Sequence, residues 1–168
     1  MVNQVKSGLP KSSRTYFFQT HFMIRPNRHD PYPIVVANYK LLHQDTLQYS
    51  KLFFPININN THWTSVFVDI SKKEISYLDP FQRNGEKYVK MVHEFLKGLS
   101  KDGKHWNLNM CVQDAPMQAN NYDCGIFTYL YGRHLSKNTN TEFDFSQDTI
   151  NADLDLRIDL VQQLLGHE

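Results

Sequence analysis

Two runs of alternating apolar residues, Val66-Val68-Ile70 and Ile75-Tyr77, face each other across the polar triplet Ser71-Lys72-Lys73. Period-two alternation broken by a short polar turn predicts a β-hairpin, and with it an antiparallel pair at the centre of the chain. A hairpin that turns near residues 71–73 brings its open ends together. His62 stands at the entrance to the first strand and Asp79 at the exit of the second, in Tyr-Leu-Asp-Pro. Strand pairing alone therefore makes these two residues neighbours.

Other elements group around that hairpin. Phe54, Ile56 and Ile58 alternate with Pro55 and Asn57, which predicts a strand that its proline confines to an edge or a strand start. Trp106, Leu108, Met110 and Val112 alternate with Asn107, Asn109, Cys111 and Gln113 and predict a further strand. Val89, Val92, Leu96 and Leu99 recur at helical spacing, with Gly103 as a stop beyond them. Residues 125–135 (GIFTYLYGRHL) are apolar on nearly every side in their first half, as a buried helix should be. Ile150, Leu154, Ile158, Val161 and Leu165 form a one-sided stripe behind a Ser146 cap. In Thr15–Met23 the spacing of Phe18 and Phe22 predicts a short amphipathic helix, and the three prolines of residues 26–33 predict an irregular loop. Residues 34–50 follow no clear pattern. Bunched strands with helices segregated around them predict an α+β class.

A chain of 168 residues with 40% apolar content and a net charge of +1 fits one compact domain, expected over residues 15–168 behind a loose tail at 1–14. The balanced charge offers no general attraction to nucleic acid or an anionic membrane. No run of about 18 apolar residues is present to span a bilayer, and residues 1–14 lack the apolar core of a signal peptide. Two cysteines without Cys-x-x-Cys spacing argue against a disulfide scaffold or a Cys-rich zinc site, and an intracellular, reducing setting (nucleus or cytoplasm, or a host cell for a secreted effector) is expected. His21, His29, His43, His134 and His167 show no ligand spacing, so neither metal nor other cofactor is expected.

A cysteine nucleophile needs a thiolate, a base for its proton, a group that orients the base, and donors for the oxyanion. Cys124 lies just before the apolar helix that starts near Gly125, where unpaired N–H groups and the helix dipole favour a thiolate. Taken by position alone, Cys124 is equally well read as a small buried hydrophobe. The hairpin changes that balance by delivering His62 as base and Asp79 as its orienting acid. Gln118, six residues before Cys124 in MQANNYDCG, can direct its amide toward an oxyanion beside the Cys124 N–H. Asn120 and Asn121 are turn formers able to fold the chain back. Gly125 would let a substrate backbone approach closely. On this reading Asp79→Asn leaves the fold intact and cripples turnover through the wrong imidazole tautomer. Cys111 has no helix N-terminus behind it and reads as structural.

His62-Trp63, Tyr-Leu-Asp79, Gln118 and Asp123-Cys124-Gly125 together resemble the catalytic pattern of the ubiquitin-like-protein peptidases, the family of the SUMO-specific (sentrin-specific) proteases. The resemblance runs from about Thr15, where TYFFQTHF is similar to the family's early helix, to the C-terminal helix. It implies a cysteine-peptidase fold with a small mixed sheet flanked by helices and the nucleophile at the N-terminus of a buried helix. It also implies a monomer that cleaves after the C-terminal glycine of SUMO, ubiquitin or a related modifier. Cys124 would be nucleophile, His62 general base and acid, Asp79 orienter and Gln118 oxyanion donor. Trp63 would wall a narrow channel for the substrate's diglycine, with Gly125 beside it. Two departures stand out. Residues 1–14 carry no Trp-Leu-x-Asp substrate-binding motif, and Asn120-Asn121-Tyr122 replaces the Asn-Gly-Ser of many relatives. The alternatives are an acyltransferase that uses a Cys thioester on the same architecture and a module that binds a modifier without cutting it.

Overall fold

Alternation along the central strands sends apolar side chains to both faces of one sheet, and a helix covers each face. In the computed structural model, the residues described are 14–23, 46–99, 105–137, 142–153, 155, 156 and 158. Five strands lie side by side in chain order: β1 (Thr15–Phe17), β2 (Lys51–Ile58), β3 (His62–Asp69), β4 (Glu74–Leu78) and β5 (Asn107–Asn109). The β2–β3 and β3–β4 pairs are antiparallel, whereas β1 and β5 add in parallel at the two edges. The sheet is therefore mixed, and with helices outside the strand run the class is α+β, as expected.

On one face Leu52, Phe54, Val66, Val68 and Ile75 pack against Val89, Val92, Phe95 and Leu96 of α1 (Glu86–Leu99). On the other, Phe53, Phe67 and Leu78 meet Phe127, Leu130, Tyr131 and Leu135 of α2 (Cys124–Lys137). Burial of a Val, Leu or Phe side chain contributes about 1.5–3 kcal/mol, so these two layers hold the sheet between them. Two glycines permit the close packing. A Cβ on Gly85, just before α1, would lie 2.0 Å from Tyr77 Cγ, and one on Gly132 would come within 3.1 Å of the Phe17 and Phe53 rings.

The central hairpin forms as expected, with Asp69 opposite Glu74 and Lys73 left-handed (φ 54°) in the turn. Ser71 Oγ and the Lys72 N–H both donate to the Asp69 carboxylate, which closes it. Pro55 also falls where a sheet tolerates it. β1 pairs only with Lys51–Phe53, so among the described residues β2 has no strand partner on that side at Pro55.

Three expectations are corrected. Thr15–Met23 is not an amphipathic helix: Thr15–Phe17 is a strand that completes the edge of β2, and only Thr20–Met23 coils, as a 3₁₀ turn. Four-residue spacing still brings Phe18 and Phe22 together, because the Phe22 N–H donates to Gln19 O and both rings enter the α1-side core, Phe18 stacked on Phe54 at 4.0 Å. The strand predicted over Trp106–Val112 is cut to Asn107–Asn109. Asn109 Oδ1 accepts the Cys111 N–H at 3.2 Å, a local side-chain bond that competes with the ladder and turns the chain. The C-terminal stripe begins as predicted, with α3 (Gln147–Ala152) behind a Ser146–Thr149 capping box and Ile150 buried. Ile158, however, is 47% exposed, because Asp153 leaves helical geometry and its carboxylate accepts the Leu156 N–H. Residues 1–13 and 26–33, together with Gly103, Leu154, Val161 and Leu165, lie outside the described residues.

Candidate active site

The site grows from the open end of the hairpin. Asn59 and Asn60 are both left-handed (φ 54° and 58°), a conformation asparagine tolerates, and they turn β2 tightly into β3 so that His62 is the first residue of that strand. Asp79 follows the last residue of β4. Its Oδ1 accepts both the Phe81 N–H and a bond from His62 Nε2, each at 2.8 Å. The two side chains are almost wholly enclosed, His62 at 10% and Asp79 at 1% exposure. Phe81 stacks on the imidazole with ring centroids 5.1 Å apart, and fixes the ring plane that the carboxylate has fixed by direction.

Cys124 opens α2, which is registered by the Phe127 N–H donating to Asp123 O. The thiol sits at the helix N-terminus and is nearly buried, at 6% exposure. What joins this helix to the hairpin end is Trp63 against Gly125: a Cβ on Gly125 would lie 3.5 Å from Trp63 Cδ1. Cys124 and His62 are each the chain neighbour of one member of that contact. A methyl group on Gly125 would fill the space beside the half-buried indole without a clash.

Gln118 reaches the same place by another route. Its N–H donates to Pro80 O at 3.1 Å, which ties it to the residue after Asp79. Its buried amide donates one N–H to Asn120 O, and a primary amide retains a second. The Asn120-Asn121-Tyr122 turn does not use left-handed asparagines, as neither residue has positive φ. Instead Asn120 Oδ1 accepts the Tyr122 and Asp123 N–H groups, and its Nδ2 donates to Asp123 Oδ2 at 2.7 Å. Side-chain capping holds the turn.

All six residues singled out in the sequence thus lie on three segments that touch. Cys111 lies aside, its thiol donating to Gln82 O at 3.3 Å, and burial followed by the charge of Asp79 pushes that thiol up. It is therefore the less ionised type of thiol. Both cysteines are free. Among the described residues no group of His, Cys, Asp and Glu side chains is arranged to hold a metal ion, and no helix is long and apolar enough to cross a membrane. His134 is buried at the far end of α2, its Nδ1 3.1 Å from Asp144 Oδ1. Sequence reasoning missed Phe81 and Gln147. Phe81 follows the Asp-Pro pair that ends the hairpin, a place worth testing for an aromatic lid. Gln147 offers no signal beyond its position after a helix cap.

Known proteins resemble this chain in sequence and in fold. The chain is 31% identical over 100 residues to Ubiquitin-like-specific protease 1 of Saccharomyces cerevisiae, a match covering 56% of this chain and 16% of that protein. It is 30% identical over 94 residues to human Sentrin-specific protease 2, covering 51% of this chain and 16% of the relative. Among solved structures, the C-terminal Ulp1 protease domain in complex with Smt3, the yeast ortholog of SUMO, superposes with a TM-score of 0.63 at 26% identity, over 81% of this chain and 62% of that one. The chain thus spans about a sixth of the length of these curated relatives and less than two thirds of the solved domain. The family model of the Ulp1 protease family, C-terminal catalytic domain, matches residues 10–162, and the chain belongs to that family.

Proposed function

We propose that this chain is a cysteine peptidase that cleaves the peptide or isopeptide bond after the C-terminal glycine of a ubiquitin-like modifier, with a SUMO-type modifier as the first candidate. The observation that carries this reading is the enclosed His62 Nε2–Asp79 Oδ1 bond of 2.8 Å on a hairpin end whose Trp63 meets Gly125, the second residue of the helix that Cys124 opens. Nε2 is committed to the acid, so Nδ1 is the nitrogen left to take the Cys124 proton. The thiolate attacks the glycine carbonyl carbon. Gln118 and the Cys124 N–H stabilise the oxyanion, worth about 100- to 1,000-fold for one such donor. His62 returns the proton to the leaving amine, which departs and leaves a thioester. Water, deprotonated by His62, then releases the modifier's carboxylate and restores the thiol. Trp63 and Gly125 bound the approach to Cys124, and a strand of two glycines is the substrate with no Cβ to obstruct it.

Relatives support the choice of chemistry and substrate. SUMO protease Ulp1, 28% identical over 79% of this chain, has been solved with its catalytic cysteine oxidised to a sulfonic acid, and the C-terminal Ulp1 domain has been solved with Smt3 bound. In our reading residues 15–168 act as one catalytic domain, a monomer without cofactor, in the nucleus or cytoplasm. Hydrolysis of SUMO-type and ubiquitin C-terminal fluorogenic amides tests it. Turnover of at least one by the wild type, absent from Cys124→Ala, is expected. Equal turnover by both proteins would refute it.

A further inference from the structure

A buried carboxylate precedes the nucleophile, and the peptidase steps do not use it. Asp123 is fully enclosed, with 0% exposure, and is the residue immediately before Cys124. Gln147, the first residue of α3 and 8% exposed, reaches it from a separate element. Gln147 Nε2 donates to Asp123 Oδ2 at 2.9 Å, while Gln147 Oε1 accepts the Ala119 N–H at 2.8 Å. One amide group thus grips both ends of a five-residue loop. Ala119 directly follows the oxyanion candidate Gln118, and Asp123 directly precedes the nucleophile. The amide is itself well anchored, because the Ser146–Thr149 capping box fixes the start of α3 and Nε2 also donates to Asn151 Oδ1 at 3.0 Å.

We propose that Gln147 is a positioning residue for the peptidase reaction. It sets the distance between the oxyanion donor and the nucleophile, and it helps disperse the Asp123 charge beside the thiolate. The inference rests on the peptidase reading. Two physical arguments carry it. Catalytic groups misplaced by about 1 Å lose roughly a hundredfold in rate, so a clamp on both flanks of the loop acts on the chemical step rather than on substrate binding. A buried carboxylate next to a developing thiolate opposes it, and the Asn120 and Gln147 amides, both aimed at Oδ2, spread that charge over two donors.

The test uses the full chain with Gln147→Met and Gln147→Glu, assayed across pH. Each is scored for kcat and KM on a modifier C-terminal amide, for Cys124 alkylation by chloroacetamide, and for melting temperature. Gln147→Met should lower kcat by about ten- to a hundredfold with KM nearly unchanged. Gln147→Glu keeps the acceptor for Ala119 and, while the two carboxyls share a proton, a donor for Asp123 Oδ2; deprotonation sets two carboxylates together, so its kcat relative to the wild type should fall as pH rises. Full kcat in Gln147→Met well below its melting temperature, or in Gln147→Glu at high pH, would overturn the role. If the wild type ignores every modifier amide yet Cys124 alkylation still slows in Gln147→Met, the substrate assignment fails and the positioning role stands.

Discussion

Replacing Asp79 by asparagine separates two things an orienting acid can do, and the geometry decides between them. Asp79 Oδ1 accepts from His62 Nε2 and from the Phe81 N–H together, each at 2.8 Å. Oδ2 is buried with no hydrogen-bond partner among the described residues. A substituted asparagine must therefore place its carbonyl oxygen at the Oδ1 position, because the reversed amide would aim a donor at the Phe81 N–H. Held that way, the new amide still accepts from Nε2–H and still selects the tautomer that exposes Nδ1. The wrong-tautomer penalty expected from sequence does not apply. What is lost is the charge. A bond to a charged group is worth about 1.5–3 kcal/mol and a neutral one about 0.5–1.5, so the difference is about 1–1.5 kcal/mol, or roughly tenfold in rate. Asp79→Ala also removes the direction and should cost about a hundredfold or more. The buried amide NH₂ left at the Oδ2 position should cost Asp79→Asn about 1–3 kcal/mol of stability. Steady-state kcat/KM on a fluorogenic modifier amide, with urea titration for stability, reads both effects. If Asp79→Asn is as slow as Asp79→Ala, the Phe81 N–H does not hold the amide, and the reasoning is refuted.

Three further outcomes follow from particular contacts. Gly85→Ala sets a methyl carbon 2.0 Å from Tyr77 Cγ and should destabilise by about 3 kcal/mol in urea titration; a loss below about 1 kcal/mol would mean the ring yields. Gly125→Ala meets Trp63 at an ordinary 3.5 Å, so the fold and chloroacetamide reactivity should hold while modifier-amide turnover drops by an order of magnitude or more; unimpaired turnover would remove Gly125 from the channel. Cys111→Ser should keep full activity, and in the wild type at neutral pH Cys111 should alkylate more slowly than Cys124, since burial and the Asp79 charge both disfavour its thiolate. Faster labelling of Cys111 would contradict this.

The parts of this protein legible in sequence are those governed by local periodicity. The hairpin is readable because Val66, Val68, Ile75 and Tyr77 alternate on both sides of a polar turn, and pairing geometry then delivers His62 to Asp79 without any tertiary information. The helix behind Cys124 is readable from its continuous apolar run, and the cap at Ser146 from a serine placed ahead of an apolar stripe. Thr15–Phe17 is not, because its strand exists only through the edge of β2 that it completes, and the spacing of Phe18 and Phe22 suits one 3₁₀ turn as well as an α-helix. Trp106–Val112 fails in the opposite sense: the alternation is real, but the Asn109 side chain ends the strand from within. In the site, the residues placed by hairpin ends and helix starts can be named from sequence. The amide clamp of Gln147 cannot, since it joins positions 119, 123 and 147 through side chains and one backbone N–H that no local pattern connects.

The proposed function turns on Cys124 attacking a glycine carbonyl of a ubiquitin-like modifier. The decisive experiment is intact-mass and peptide-mapping analysis after incubation with SUMO-type and ubiquitin probes, each ending in a thiol-reactive glycine analogue. A single covalent adduct on Cys124 is expected with at least one probe, lost in Cys124→Ala and retained in Cys111→Ser. An adduct on Cys111, or none from any probe on a folded protein whose Cys124 still reacts with chloroacetamide, would overturn the assignment.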